Sequence, residues 1–209
     1  MLHSPLNIAV LLSGSGRTLQ NLIDLKKAGK LDIHIQLVIA SRAGLGGTQR
    51  AVDAGLPNNV IDRKSYSDLP PYSNAIFSAI DLAKVDLVVM AGWLSLIEIP
   101  SRYANRIINI HPSLLPAFGG KGMYGHKVHE AVVAGGCKIS GCTAHFVDAN
   151  YDTGPIILQR SCPVLDNDTA DDLANRVFAE EKIALPAAIA LYQQNRLRMN
   201  GRRVVITEK

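Results

Sequence analysis

The stretch Asn7-Ile8-Ala9-Val10-Leu11-Leu12-Ser13-Gly14-Ser15-Gly16-Arg17-Thr18-Leu19 decides the fold. Asn7 to Leu12 is a short apolar run that stops at Ser-Gly-Ser-Gly, and Leu19, Leu22 and Ile23 then follow at helical spacing. The spacing predicts a strand, a tight loop and a helix. Working outward, Ile33 to Ala40 is rich in β-branched residues and reads as a second strand. Val52 and the Gly55-Leu56-Pro57 stop predict a short helix after it. Ile76, Phe77 and Ile80 mark another helix, and Asp86 to Ala91 is a strand too apolar to have one solvated face.

Alternation of this kind predicts an α/β fold: a Rossmann-like, mostly parallel twisted sheet with helices on both faces. After Ile107 to Ile110 the pattern changes. Pro112 to Gly125 carries two prolines and four glycines and must be irregular, and long irregular stretches are often functional. Thr143 to Val147 and Pro155 to Leu165 predict two antiparallel strands joined by the turn Asp148 to Gly154. The C-terminal third predicts a long helix, capped by Asp168 or Thr169, with Leu173, Val177 and Leu185 on one row. Glu181 falls in that row, and Pro186 should kink or restart the helix. Arg202 to Ile206 reads as an edge strand.

The chain has 209 residues, 47% of them hydrophobic and 19% charged, enough for one substantial core and against disorder. The formal net charge of +4 is spread along the chain, which argues for a small anionic ligand rather than nucleic acid. Cys137, Cys142 and Cys162 are an odd set without Cys-x-x-Cys spacing, so neither disulfides nor a zinc knuckle is expected, and a reducing, cytoplasmic location is. No secretion signal is read at the N-terminus. The most apolar window, Val85 to Ile97, falls short of the ~20 residues a bilayer requires, so no membrane association is expected.

Two constellations carry chemistry. Between strand and helix, Gly14, Gly16, Arg17 and Thr18 form a glycine loop where backbone N–H groups and the positive helix end favour an anion. The dinucleotide fingerprint wants a third glycine where Leu19 stands, yet Ser41-Arg42 suits a 2'-phosphate, so an NADP or nucleotide-binding module stays open. The second constellation is Asn109-Ile110-His111-Pro112-Ser113-Leu114-Leu115-Pro116, with Asp152 in Tyr151-Asp152-Thr153-Gly154-Pro155. Period-two geometry puts Asn109 and His111 on one strand face. There an amide and an imidazole can stabilise an oxyanion while Asp152 raises the basicity of His111 or relays its proton.

These strings, together with Met90-Ala91-Gly92-Trp93-Leu94 and Thr143-Ala144-His145-Phe146-Val147-Asp148, resemble the glycinamide ribonucleotide (phosphoribosylglycinamide) formyltransferase family from Asn7 to about Asn195. The resemblance implies one domain over 1–209, with a phosphate-binding half of about 1–105 and a folate and catalytic half of about 106–209. It also implies transfer of the formyl group of 10-formyltetrahydrofolate, a co-substrate, to the amine of 5-phosphoribosylglycinamide. Asn109, His111 and Asp152 would be catalytic, with no metal. Gly14, Gly16, Arg17 and Thr18 would cradle the acceptor phosphate, and Glu181 would bind the glycinamide end or ribose. Leu94, Ser95, Leu96, Ile97, Asn109, Asp148, Tyr151 and Asp152 would line the folate. Small molecules are the expected partners, for a monomer or homodimer.

The main alternative is a formyltetrahydrofolate hydrolase. Methionyl-tRNA formyltransferases and those deformylases share the catalytic string but add a further domain, for which this chain is expected to have no room. Arg17-Thr18 and Leu94-Ser95-Leu96-Ile97 depart from the Gly-Ser-Asn and Met-Arg-Ile-Leu patterns of many relatives, adding a cation near the phosphate and removing one near the folate. Lys121, His126, His129 and His145 receive no role at this level.

Overall fold

The structure is a computed structural model that describes residues 5–208. The chain divides after Ile108 into two compact units. Seven strands hydrogen-bond in the order β3-β2-β1-β4-β5-β6-β7: β1 (Leu6–Leu12), β2 (Ile33–Ala40), β3 (Asn58–Val60), β4 (Leu87–Met90), β5 (Ile107–His111), β6 (Ile139–Phe146) and β7 (Ile156–Pro163). The helices are α1 (Arg17–Lys27), α2 (Gly46–Asp53), α3 (Leu69–Leu82), α4 (His126–Ala134) and α5 (Ala170–Gln193).

In the first unit β1 pairs in parallel with both β2 and β4, so chain order reverses around β1. Open α/β sheets bind ligands outside the carboxyl ends of strands at such a switch point. All five residues Ile8 to Leu12 and all four of β4 are buried, as strands covered on both faces require. Leu19, Leu22 and Ile23 of α1 and Tyr72, Ile76, Phe77 and Ile80 of α3 supply the helical side of that core. α2 differs from its sequence reading in one respect. It buries Gly47 and Ala51, whereas Val52 is exposed, because this helix lies close enough to its neighbours that only small residues fit between.

In the second unit β6 and β7 are antiparallel, with a register shift at Ala144/His145. α5 starts at a capping box in which the Thr169 hydroxyl takes the Asp172 N–H and the Asp172 carboxylate takes the Thr169 N–H. Leu173, Val177 and Leu185 are buried and Glu181 is half-buried in the same row. The restart considered at Pro186 does not occur, and α5 runs through it as one helix. Arg203–Ile206 forms β9, but it is not an edge of the main sheet. It pairs with β8 (Leu197–Asn200) in a separate hairpin that turns at Gly201.

The irregular stretch after β5 is held by side chains rather than by ladders. Thr143 Oγ1 donates to Ser113 O at 2.6 Å and accepts from Leu115 N at 3.0 Å, and Gln159 Nε2 donates to Leu115 O at 2.9 Å. Ser113 Oγ donates to Ala117 O at 2.6 Å. Buried backbone polar groups need such partners where neither helix nor sheet supplies them. The same contacts fix the loop that carries the carbonyl of Phe118.

Candidate active site

In the second unit two histidines meet at one carboxylate oxygen, and an amide joins the cluster through one of them. Asp152 Oδ1 lies 3.4 Å from His111 Nδ1 and 3.8 Å from His145 Nε2, and His145 Nε2 lies 3.0 Å from Asn109 Nδ2. Asp152 sits at φ 56, a left-handed conformation that aspartate tolerates better than most side chains. Its other oxygen accepts the Gly120 N–H at 3.0 Å, tying the Asp148–Gly154 turn to the irregular loop. Gly154 closes that turn against β6: a Cβ there would fall on the carbonyl of Phe146.

The protonation pattern follows from the partners. His145 Nδ1 faces the carbonyl oxygen of Phe146 at 2.8 Å, and a carbonyl only accepts, so Nδ1 carries hydrogen. Burial pushes the His145 pKa down, which keeps the ring neutral and leaves Nε2 as an acceptor. Asn109 must therefore turn its Nδ2 toward His145, which commits one amide hydrogen and directs the other elsewhere.

His111 is 3% exposed and faces acceptors on both sides, Phe118 O at 2.9 Å from Nε2 and Asp152 from Nδ1. In its protonated form a ring so placed donates from both nitrogens. Burial alone would raise the Asp152 carboxyl. The hydrogen bond and charge of His111, the Gly120 N–H and the field of His145 outweigh it and hold the carboxyl below the usual range. Asp152 is thus ionised at neutral pH.

In the first unit the glycine loop leaves β1 at the switch point. Ser13 N–H donates to Gly92 O at 3.0 Å and Ser13 Oγ accepts the Leu94 N–H at 3.1 Å, which joins the loop to the segment after β4. Gly16 is the N-cap of α1 at φ 75, and no acidic residue stands in the first turn. A Cβ on Gly14 would meet nothing within 4 Å, so Gly14 is open to an approaching group. Arg17 is exposed and Thr18 half-buried.

The other expected ligand residues are less uniform. Leu94 is exposed, Ser95 and Leu96 are half-buried, and Ile97 is packed in the core at 4% exposure. Tyr151 and Asp148 are half-buried. Asp148 Oδ1 accepts the Thr153 hydroxyl at 2.6 Å and the Asn150 N–H at 3.2 Å, so it builds the turn that presents Asp152. A cavity of about 570 Å³ opens beside that turn, lined among others by Leu115, Pro116, Gly119, Tyr151, Asp152 and Arg202.

His145 is the member that sequence reasoning left without a role. Its signal is a histidine in the middle of an apolar strand, where a buried polar ring demands partners on both nitrogens. Of the other residues left open, His129 is a core histidine of α4, kept neutral because burial, with His126 and His111 nearby, pushes its pKa down to about 4. His126 lies at the surface between Glu130 and Asp171, and Lys121 is exposed. Cys142 is inert at neutral pH. Burial, with Glu181 and Glu180 nearby, pushes its thiol up to about 12. Among the described residues no group of three His, Cys, Asp or Glu side chains could hold a metal ion, and no helix is long and apolar enough to cross a membrane.

Comparison with known proteins identifies the family. The formyl transferase family model matches residues 6–189. The chain is 45% identical over 178 residues to the chloroplastic phosphoribosylglycinamide formyltransferase of Vigna unguiculata, covering 83% of this chain and 56% of that protein. It is 37% identical over 205 residues to the bovine trifunctional purine biosynthetic protein adenosine-3, covering 96% of this chain and 20% of that one. The chain thus spans little more than half of the first relative and a fifth of the second. Among solved structures, glycinamide ribonucleotide transformylase 1 from Symbiobacterium toebii superposes with a TM-score of 0.92 at 40% identity, covering 100% of this chain and 96% of that one. With a family model over most of its length and both Asn109 and His111 inside the matched span, this chain belongs to the formyl transferase family.

Proposed function

We propose that this protein transfers the formyl group of 10-formyltetrahydrofolate to the amine of 5-phosphoribosylglycinamide, a step of purine biosynthesis. The observation that carries the reading is one connected cluster in which His111 and His145 both face Asp152 Oδ1 and Asn109 joins through His145 Nε2. In this account the residues up to about 105 bind the acceptor phosphate through Gly14, Gly16, Arg17 and Thr18. The residues from about 106 hold the folate and perform the chemistry, and Glu181 holds the glycinamide end or ribose. Asp148 and Tyr151 flank the folate. Three free thiols suit a reducing, cytoplasmic compartment.

The neutral acceptor amine attacks the formyl carbon, and the carbonyl oxygen becomes an oxyanion. Asn109 donates its uncommitted amide hydrogen to that oxygen. His111, when protonated, supplies positive charge beside that oxygen. Asp152 balances His111 and accepts the proton that the amine loses, directly or through water. The proton then passes to the folate nitrogen as the carbon–nitrogen bond to it breaks. Preorganised donors aimed at developing charge supply much of the rate acceleration in such reactions.

The test is an absorbance assay of folate deformylation with and without glycinamide ribonucleotide. Turnover is expected only with the acceptor. Equal turnover without it would make the protein a hydrolase.

A further inference from the structure

We propose that Arg50 is a positioning residue for the glycine loop: it holds the Ser15 carbonyl toward α2 and so turns the loop's N–H groups out to the acceptor phosphate. The proposal rests on the reading of this loop as the phosphate cradle.

Two successive loop carbonyls point at α2. Gly14 O accepts the Gly47 N–H at 3.1 Å, and Ser15 O accepts Arg50 Nε–H at 2.9 Å. A trans peptide puts its C=O and N–H on opposite sides, so these two bonds direct the N–H groups of Ser15 and Gly16 away from α2. Consecutive N–H groups presented together make an anion-binding concavity. Left unheld, the two peptide units could rotate and offer carbonyl oxygens to an anion instead.

Arg50 is itself held in place. Its Nη1 donates to Gln20 Oε1 at 3.1 Å, and Gln20 Nε2 donates to Asp24 Oδ1 at 2.9 Å. The Asp24 carboxylate only accepts, which fixes the Gln20 amide with its oxygen toward Arg50. The chain Asp24, Gln20, Arg50, Ser15 thus links α1, α2 and the loop. A guanidinium fork reaches both acceptors at once, which a lysine ammonium on its flexible stem does not reproduce.

Packing at the glycines supports the same division of labour. A Cβ on Gly16 would lie 2.5 Å from Gly47 Cα and 3.3 Å from Arg50 Cδ, so Gly16 permits α2 to approach. Gly14 keeps the opposite side open. One glycine serves the brace and the other the ligand.

The experiment is steady-state kinetics on the full chain for Arg50→Ala, Arg50→Lys and Gly14→Val, varying acceptor and folate separately, with circular dichroism as the folding check. Arg50→Ala is expected to raise the acceptor KM about tenfold, the worth of one charge-assisted hydrogen bond, with kcat and the folate KM within about twofold. Arg50→Lys keeps the charge but not both bonds and is expected to fall between. An unchanged acceptor KM in Arg50→Ala overturns the brace while a raised one in Gly14→Val preserves the cradle. An unchanged KM in Gly14→Val overturns the cradle and the brace with it. Wild-type behaviour of Arg50→Lys assigns the effect to charge alone and also overturns the proposal. Should Arg50→Ala not fold, Arg50→Lys decides by the same criterion.

Discussion

Purified Asn109→Ala protein is expected to fold and to turn over on the order of 10² to 10³ more slowly than the wild type, the usual loss when one oxyanion donor is removed. Asn109 is half-buried in the middle of β5, and its amide is held by His145 Nε2, so truncation removes the donor without emptying a fully packed site. His145 then lacks a donor at Nε2, a loss that water can make good. His111→Ala is expected to lose at least as much activity. It also leaves Asp152, the Phe118 carbonyl and a buried site without their partner, so its thermal midpoint should fall as well. Thermal melts beside kcat separate the two effects. A kcat for Asn109→Ala within threefold of wild type would remove the amide from the mechanism.

The second large effect is structural. Gly154→Ala is expected to destabilise the protein by several kcal/mol, or to prevent folding, because the added Cβ would overlap the Phe146 carbonyl oxygen and lie 2.8 Å from its carbon. Both are backbone atoms of β6, in a segment where Phe146 N–H also donates to Pro155 O at 2.9 Å, so neither side yields without breaking the ladder. The same movement displaces Asp152 two residues away. Urea denaturation measures the loss, and a midpoint equal to the wild type would show that the turn relaxes freely.

The parts of the fold that the sequence discloses are those where one local rule acts alone. Ile33–Ala40 is a strand with the bounds its β-branched run suggests, and the turn from Leu12 into the glycine loop follows from apolar residues ending at Ser-Gly-Ser-Gly. The Thr169 cap is legible because Asp172 stands three residues on. α4 is hidden for a physical reason. It starts at Gly125, which offers no capping side chain, and its buried row contains His129, which breaks the apolar period. β3 and β8, of three and four residues, are too short for periodicity to act on. Pro186 misleads because proline removes one hydrogen bond from a helix of 24 residues whose buried row runs on through Leu185, Ala188 and Ile189.

The candidate site divides in the same way. Asn109, His111 and Asp152 stand out as polar residues beside an irregular loop. The roles of His145 and Arg50 depend on pairings 36 and 35 residues apart in the chain, which no spacing rule reports. Asp148, expected against the folate, is also the residue that shapes the Asp152 turn through Thr153 and Asn150.

The most direct measurement is a crystal structure of this protein with the acceptor and a folate analogue whose carbonyl cannot leave. The account places the carbonyl oxygen about 2.7–3.1 Å from Asn109 Nδ2 and beside His111, with the acceptor amine roughly 3–3.5 Å from the carbonyl carbon. A carbonyl bound away from Asn109, His111 and Asp152 would contradict it.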